Sequence, residues 1–130
     1  MRLITKKPPR VSSELNTNLN HVESDAAFQD VLENNDNVMI CCGRMGPMCL
    51  PVYDAMDKLQ DKYAHVTFRD MDFDGPAAHN IKSLPEVRNF NGLPFTVYFN
   101  KGKVVHATTS VQNKAQVKEI LNAQFSDAVS

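Results

Sequence analysis

The chain has no tryptophan, no Cys-x-x-Cys pair, only five glycines and no long apolar run. Without a stretch of roughly 18 apolar residues there is no candidate membrane span. The opening residues, MRLITKKPPRVSSELN, are basic but lack the apolar core of a secretory leader, so a cytoplasmic setting is expected. Fourteen basic residues face fifteen acidic ones, for a net charge of -1, and no basic excess exists to draw nucleic acid or an acidic membrane. Three cysteines, two of them adjacent, do not make a disulfide framework. There is no glycine-rich phosphate loop and no serine triad. His21, His65, His79 and His106 are scattered without metal-ligand spacing and read as surface residues. DMDFDG begins like a calcium loop, with Asp70, Asp72, Asp74 and Gly75. Its twelfth position is Ile81 where a glutamate is needed, so these carboxylates read as solvated turn residues.

What remains is an ordinary globular composition in 130 residues, enough for one domain with its own core. Residues 1–14 are polar, carry Pro8-Pro9 and read as a loose arm. A domain is expected over 15–126 and a tail over 127–130. A short edge strand is expected within Leu15–Val22. Ser24 then caps a helix that runs to about Glu33, with Phe28, Val31 and Leu32 at helical spacing. VMICC, 38–42, is apolar throughout and bounded by turn signals, the pattern of a central parallel strand buried on both faces. Pro47 suits the first position of a helix. Cys49, Val52, Tyr53, Met56 and Leu59 follow at three- and four-residue steps, and Pro51 should kink that helix. HVTFRDMDF is a strand, and Ala77–Val87 a short helix interrupted by Pro85. PFTVYF and KVVHATT are strands joined by an NKG turn. KAQVKEILNAQF puts Val117, Ile120, Leu121 and Phe125 on one helical face. Alternating strands and helices followed by a hairpin imply an α/β fold, a central mixed sheet with helices on both faces.

The chemistry-bearing stretch is ICCGRMGPMCLP, Ile40–Pro51. With Pro47 at the first helical position, Cys49 falls in the first turn, where unpaired N–H groups and the helix dipole favour an anion, and Arg44 adds charge nearby. These effects favour thiolate. The alternative is that Cys49 packs in the core as a small apolar residue. Cys42 shares the strand face of Ile40 and Val38, and Cys41 that of Met39. A bridge between Cys42 and Cys49 requires the strand end and the helix start to lie within about 7 Å. Met45 and Met48 flank Gly46-Pro47 at an expected exposed tip, where flexible methionines suit varied partners. Met45, Met48, Cys49 and Cys42 are also ligand types that copper(I) prefers, but their spacing matches no motif, and no metal or cofactor is expected.

With these motifs in this order, the chain resembles the thioredoxin-like family. GLPFTVYFNKGKVV is similar to that family's Gly-Ile-Pro-Thr, apolar strand and Lys-Asn-Gly turn. NKAQVKEILNAQF is similar to its last helix, and GPMCLPVYDAMDKLQDKY to its active-site helix with a kink proline. The resemblance covers roughly 20–125. It implies that Pro94 is the cis-proline facing the active-site loop, and that Met-Gly-Pro-Met stands in place of Cys-Gly-Pro-Cys. A second register, anchored on Pro51, puts Gly43 and Gly46 at the two cysteine positions. The family's buried acid has no counterpart in VMICC, and Ser110 stands where it has a glycine after the final strand. Two functions stay open. One is atypical thiol–disulfide chemistry through Cys49 and Cys42. The other is a redox-silent module that binds an extended protein or peptide segment with Arg44, Met45, Gly46, Pro47, Met48, Leu93 and Pro94. A monomer is expected in either case.

Overall fold

The computed structural model describes residues 15–125. The arm expected at 1–14 and the tail at 127–130 lie outside the described residues. Ten elements follow in order: β1 (Asn20–His21), α1 (Asp25–Asn34), β2 (Asn37–Gly43), α2 (Leu50–Leu59), β3 (Thr67–Asp72), α3 (His79–Lys82), a 3-10 turn (Pro85–Val87), β4 (Phe95–Asn100), β5 (Lys103–Thr109) and α4 (Lys114–Gln124). The five strands among the described residues form one sheet in the order β1-β3-β2-β4-β5. β3 runs parallel to both β1 and β2, while β4 is antiparallel to β2 and to β5. The sheet is therefore mixed, and β2 occupies its centre.

Local chemistry sets the ends of the helices. Ser24 accepts from the Ala27 N–H at 3.0 Å and caps α1. Asn113 and Gln116 close a reciprocal capping box at the start of α4, at 2.8 and 2.9 Å. Lys101 and Gly102 both have positive φ, 52° and 81°, as a two-residue hairpin between β4 and β5 demands. Pro51 sits in the first turn of α2, where a missing N–H costs nothing, and not within a long helix. The Cys49 and Leu50 N–H groups both donate to the Gly46 carbonyl at 3.0 Å. A helical turn thus opens at Gly46, with Pro47 first in it and Cys49 third.

The sheet separates two apolar layers. One holds Met39, Cys41, Cys49, Val52, Tyr53, Met56, Leu59, Tyr98, Val117 and Leu121, beneath α2 and α4. The other holds Val38, Ile40, Cys42, Phe28, Val31, Met71, Ile81 and Val97, beneath α1 and α3. The alternation of β2 is legible here residue by residue, because successive side chains point to opposite faces.

Ser110, just after β5, has φ 72°, a conformation that costs a residue with a β-carbon. Its N–H donates to the carbonyls of Gly92 and Pro94, at 3.2 and 3.1 Å, so the strained residue ties down the segment that carries Pro94. Ser110→Gly is expected to raise stability by about 0.5–1 kcal/mol, read as a higher urea midpoint at unchanged slope. A lowered midpoint would show that the serine side chain contributes more than its backbone costs.

Candidate functional site

The site is built where β2 ends and α2 begins. Gly43 closes β2 with its α-hydrogen pointing into the α2/α4 layer, on the same face as Cys41. A β-carbon there would lie 2.8 Å from Cys49 Sγ, 2.9 Å from Pro94 Cβ and 2.9 Å from the Tyr53 hydroxyl. Thiol, proline ring and phenol thus converge on one α-carbon, and only glycine fits between them. The Leu93–Pro94 peptide is cis, and Pro94 is buried. The Arg44 backbone N–H donates to Cys49 Sγ at 3.4 Å. Cys49 is only 2% exposed.

Of the other two thiols, only Cys42 is held apart from this point by its face. Cys41 lies in the Cys49 layer, accepts from the Thr96 hydroxyl at 3.8 Å, and has its pKa pushed well above the usual thiol range by burial. Cys42 points into the opposite layer, and burial pushes its thiol up to about 12. All three cysteines are free. The bridge anticipated between Cys42 and Cys49 is therefore not made. The parity of Cys42 along β2 is as read from the sequence, but α2 lies across the Cys41 face, so Cys49 comes down on the other side of the sheet from Cys42.

Arg44 does not turn toward Cys49. Its guanidinium grips Asp74 through two hydrogen bonds of 2.7 and 2.8 Å and lies over the Phe73 ring, 5.1 Å from its centre. Met45 and Met48 are exposed, at 40% and 46%, with Leu50 beside them in sequence at 43%. Gly46 has open space around it, and Pro47 is exposed. Met45 and Leu50 line a surface groove with Asn16, Thr17, Asn18, Tyr53, Asp54 and Asp57, and Pro94 is not part of it. The Asn16 N–H donates to the Met45 sulfur at 3.4 Å. Leu93 is half-buried and packs against both layers.

Two features escaped the sequence. Asp70 and Asp72 are buried, not solvated turn carboxylates. Asp70 stands opposite Cys41 in the parallel ladder. Burial raises its pKa, opposed by hydrogen bonds from Thr17 and His21, at 2.5 Å each. A buried acid does lie beside the site's layer, on the strand after VMICC. The signal was present: a strand buried on both faces should carry no carboxylate without a reason. His21 correspondingly is no free surface residue. The second feature is Tyr53, 3% exposed, whose hydroxyl has no hydrogen-bond partner among the described residues. Leaving such a group unpaired costs about 1–3 kcal/mol. Among the described residues no cluster of His, Cys, Asp or Glu could hold a metal ion, and no helix is long and apolar enough to cross a membrane.

No protein-family model and no curated protein matches the chain. Solved structures do. A thioredoxin from Plasmodium falciparum superposes with a TM-score of 0.68 at 18% identity, covering 82% of this chain and 99% of that one. A mutant thioredoxin from Halobacterium salinarum gives 0.69 at 18%, covering 85% and 93%. Mitochondrial thioredoxin 3 from Saccharomyces cerevisiae, in its oxidised form, gives 0.64 at 21%, covering 80% and 94%. Together with the mixed five-stranded sheet, these place the chain in the thioredoxin fold.

Proposed function

We propose that the protein is an atypical, thioredoxin-like thiol protein whose reactive sulfur is Cys49, with Met-Gly-Pro-Met where the family pattern has Cys-Gly-Pro-Cys. The exposed Met45, Met48 and Leu50 form the surface that receives an extended segment of a partner protein, with the buried Pro94 behind the thiol and not on that surface. The supporting observation is the convergence at Gly43: Cys49 Sγ and Pro94 both lie within 3.0 Å of where its β-carbon would be, and the Arg44 N–H donates to that sulfur in the opening turn of the helix. Cys49 thiolate would attack a sulfur of the partner's disulfide, forming a mixed disulfide and releasing the other sulfur as thiolate. Cys42 has no part in this reading, and a thiol from outside the chain resolves the mixed disulfide.

The test is alkylation of the native protein at neutral pH, followed by peptide mapping. Cys49 should react at least tenfold faster than Cys41 and Cys42, which should be labelled only after unfolding, because the thiolate is the reactive form. Equal, slow labelling of all three would sink the reading.

A second reading keeps the docking surface and drops the chemistry. Two observations favour it: Cys42 faces the opposite layer, and Cys49 is almost wholly covered. Exposed methionines beside Gly46-Pro47 would then be the working part. Under it, Cys49→Ser leaves partner binding unchanged. Under the first reading, the same substitution abolishes the covalent complex.

A further inference from the structure

We infer that Cys49 is a site of reversible oxidation by a small peroxide, and that the Tyr53 hydroxyl holds the oxygen the sulfur acquires. This rests on the reading of Cys49 as the reactive thiol. Tyr53 brings a buried hydroxyl with no hydrogen-bond partner among the described residues. Gly43 brings the lack of a side chain between the two groups: a β-carbon there would lie 2.8 Å from Cys49 Sγ and 2.9 Å from the Tyr53 oxygen, so sulfur and phenol face each other across the glycine. An oxygen bonded to the sulfur and directed toward the phenol enters hydrogen-bonding reach of Tyr53. The idle donor of the reduced protein is thereby the partner of its oxidised form. The Arg44 N–H, already on the sulfur at 3.4 Å, fixes the thiol from another direction.

Burial decides the class of oxidant. Cys49 is 2% exposed, and a peroxide, close to water in size, reaches the sulfur with less opening of the site than a partner's disulfide does. In the step, the thiolate attacks one peroxide oxygen. A sulfur–oxygen bond forms and the oxygen–oxygen bond breaks. The sulfur gives up two electrons, and the peroxide is reduced to water or an alcohol after taking a proton from solvent. The product is a sulfenic acid, the reversible rung of cysteine oxidation. A low-molecular-weight thiol restores it in two steps: the first releases water and forms a mixed disulfide, and a second thiol displaces the cysteine.

The reduced full chain is treated with hydrogen peroxide, then with dimedone, and mapped by mass spectrometry. Sulfoxides at the exposed Met45 and Met48 are scored separately as oxygen additions without dimedone. The wild type should carry dimedone at Cys49 alone. Tyr53→Phe, which removes only the unpartnered hydroxyl, should form the sulfenic acid at the same initial rate. It should lose it about tenfold faster to sulfinic acid, the effect of one missing hydrogen bond. Equal lifetimes in the two proteins, or equal changes in formation and loss, would overturn the role of Tyr53. Dimedone on Cys41 or Cys42, or a Cys41–Cys49 disulfide as the main product, would overturn the inference itself. Fast alkylation of Cys49 with no peroxide product refutes the inference and leaves the thiol reading standing. Neither alkylation nor oxidation removes both.

Discussion

Gly43→Ala lowers stability by about 2–3 kcal/mol, at the upper end of what one inserted carbon costs in a packed site. The reason is geometric. The new methyl meets Cys49 Sγ, Pro94 Cβ and the Tyr53 hydroxyl, all at under 3.0 Å. None of the three is the free end of a flexible side chain. Cys49 is pinned in the first turn of helix, Pro94 is a ring in a buried segment, and Tyr53 sits on α2 with its neighbours Val52 and Met56 fully buried. Relief therefore requires the start of α2 to lift off the sheet. A urea titration of wild type, Gly43→Ala and Gly46→Ala measures it. Gly46 has nothing within 4 Å and should tolerate alanine at little cost. An unchanged midpoint for Gly43→Ala would mean that the α2 start is loosely held and that the site is not preorganised. The same substitution puts a methyl between Cys49 Sγ and the Tyr53 hydroxyl, so dimedone labelling of Cys49 should fall with it.

This contrast between two glycines shows what the sequence could and could not convey. Periodicity and turn chemistry located every described element to within a few residues. Ser24 marks a helix start, Lys101-Gly102 marks the hairpin, and the apolar run of β2 marks the sheet's centre. These signals are local, so they survive in one dimension. The assignment of α2 to a face of the sheet is not local. It depends on α2 packing beside α4 on the Met39, Cys41 and Tyr98 side, and nothing between 44 and 49 encodes it. Hence Cys49 could be placed at a helix start while its neighbour across the layer was named as Cys42. The two registers offered for the loop differ in the same way. Both glycines were possible stand-ins for a cysteine, yet only Gly43 faces Pro94 and Cys49. Asp70 was misjudged for the converse reason. A local pattern, Asp-x-Asp-x-Asp-Gly, spoke for a turn and masked the tertiary fact that β3 lies between β1 and β2.

Asp70→Asn makes the protein more stable at pH 8, because it removes a carboxylate that burial disfavours in its charged form. Asp70 is fully buried, and burial is the largest influence raising its pKa, against the hydrogen bonds from Thr17 and His21. The sign follows from proton counting. An unfolded aspartate titrates near 3.9 or so. The folded carboxyl holds its proton to a higher pH, so between the two values the folded state binds more protons than the unfolded one. Stability therefore falls as pH rises through that window, and the loss is complete above the folded pKa. Below the unfolded value both states are protonated and the cost vanishes. Asparagine keeps acceptor oxygen for Thr17 and removes the charge, so the gap between variant and wild type should be small near pH 4 and should widen toward pH 8. Thermal melts across that range read it directly. Asp70→Ala is the control for the hydrogen bonds, because it strands the Thr17 hydroxyl and loosens the tie from the N-terminal segment to β3. If Asp70→Asn is destabilising at every pH, the ionised carboxylate contributes more through Thr17 and His21 than its burial costs. The acid would then be a structural clasp on the segment that borders Met45, and not a charge the fold carries at a cost beside Cys41.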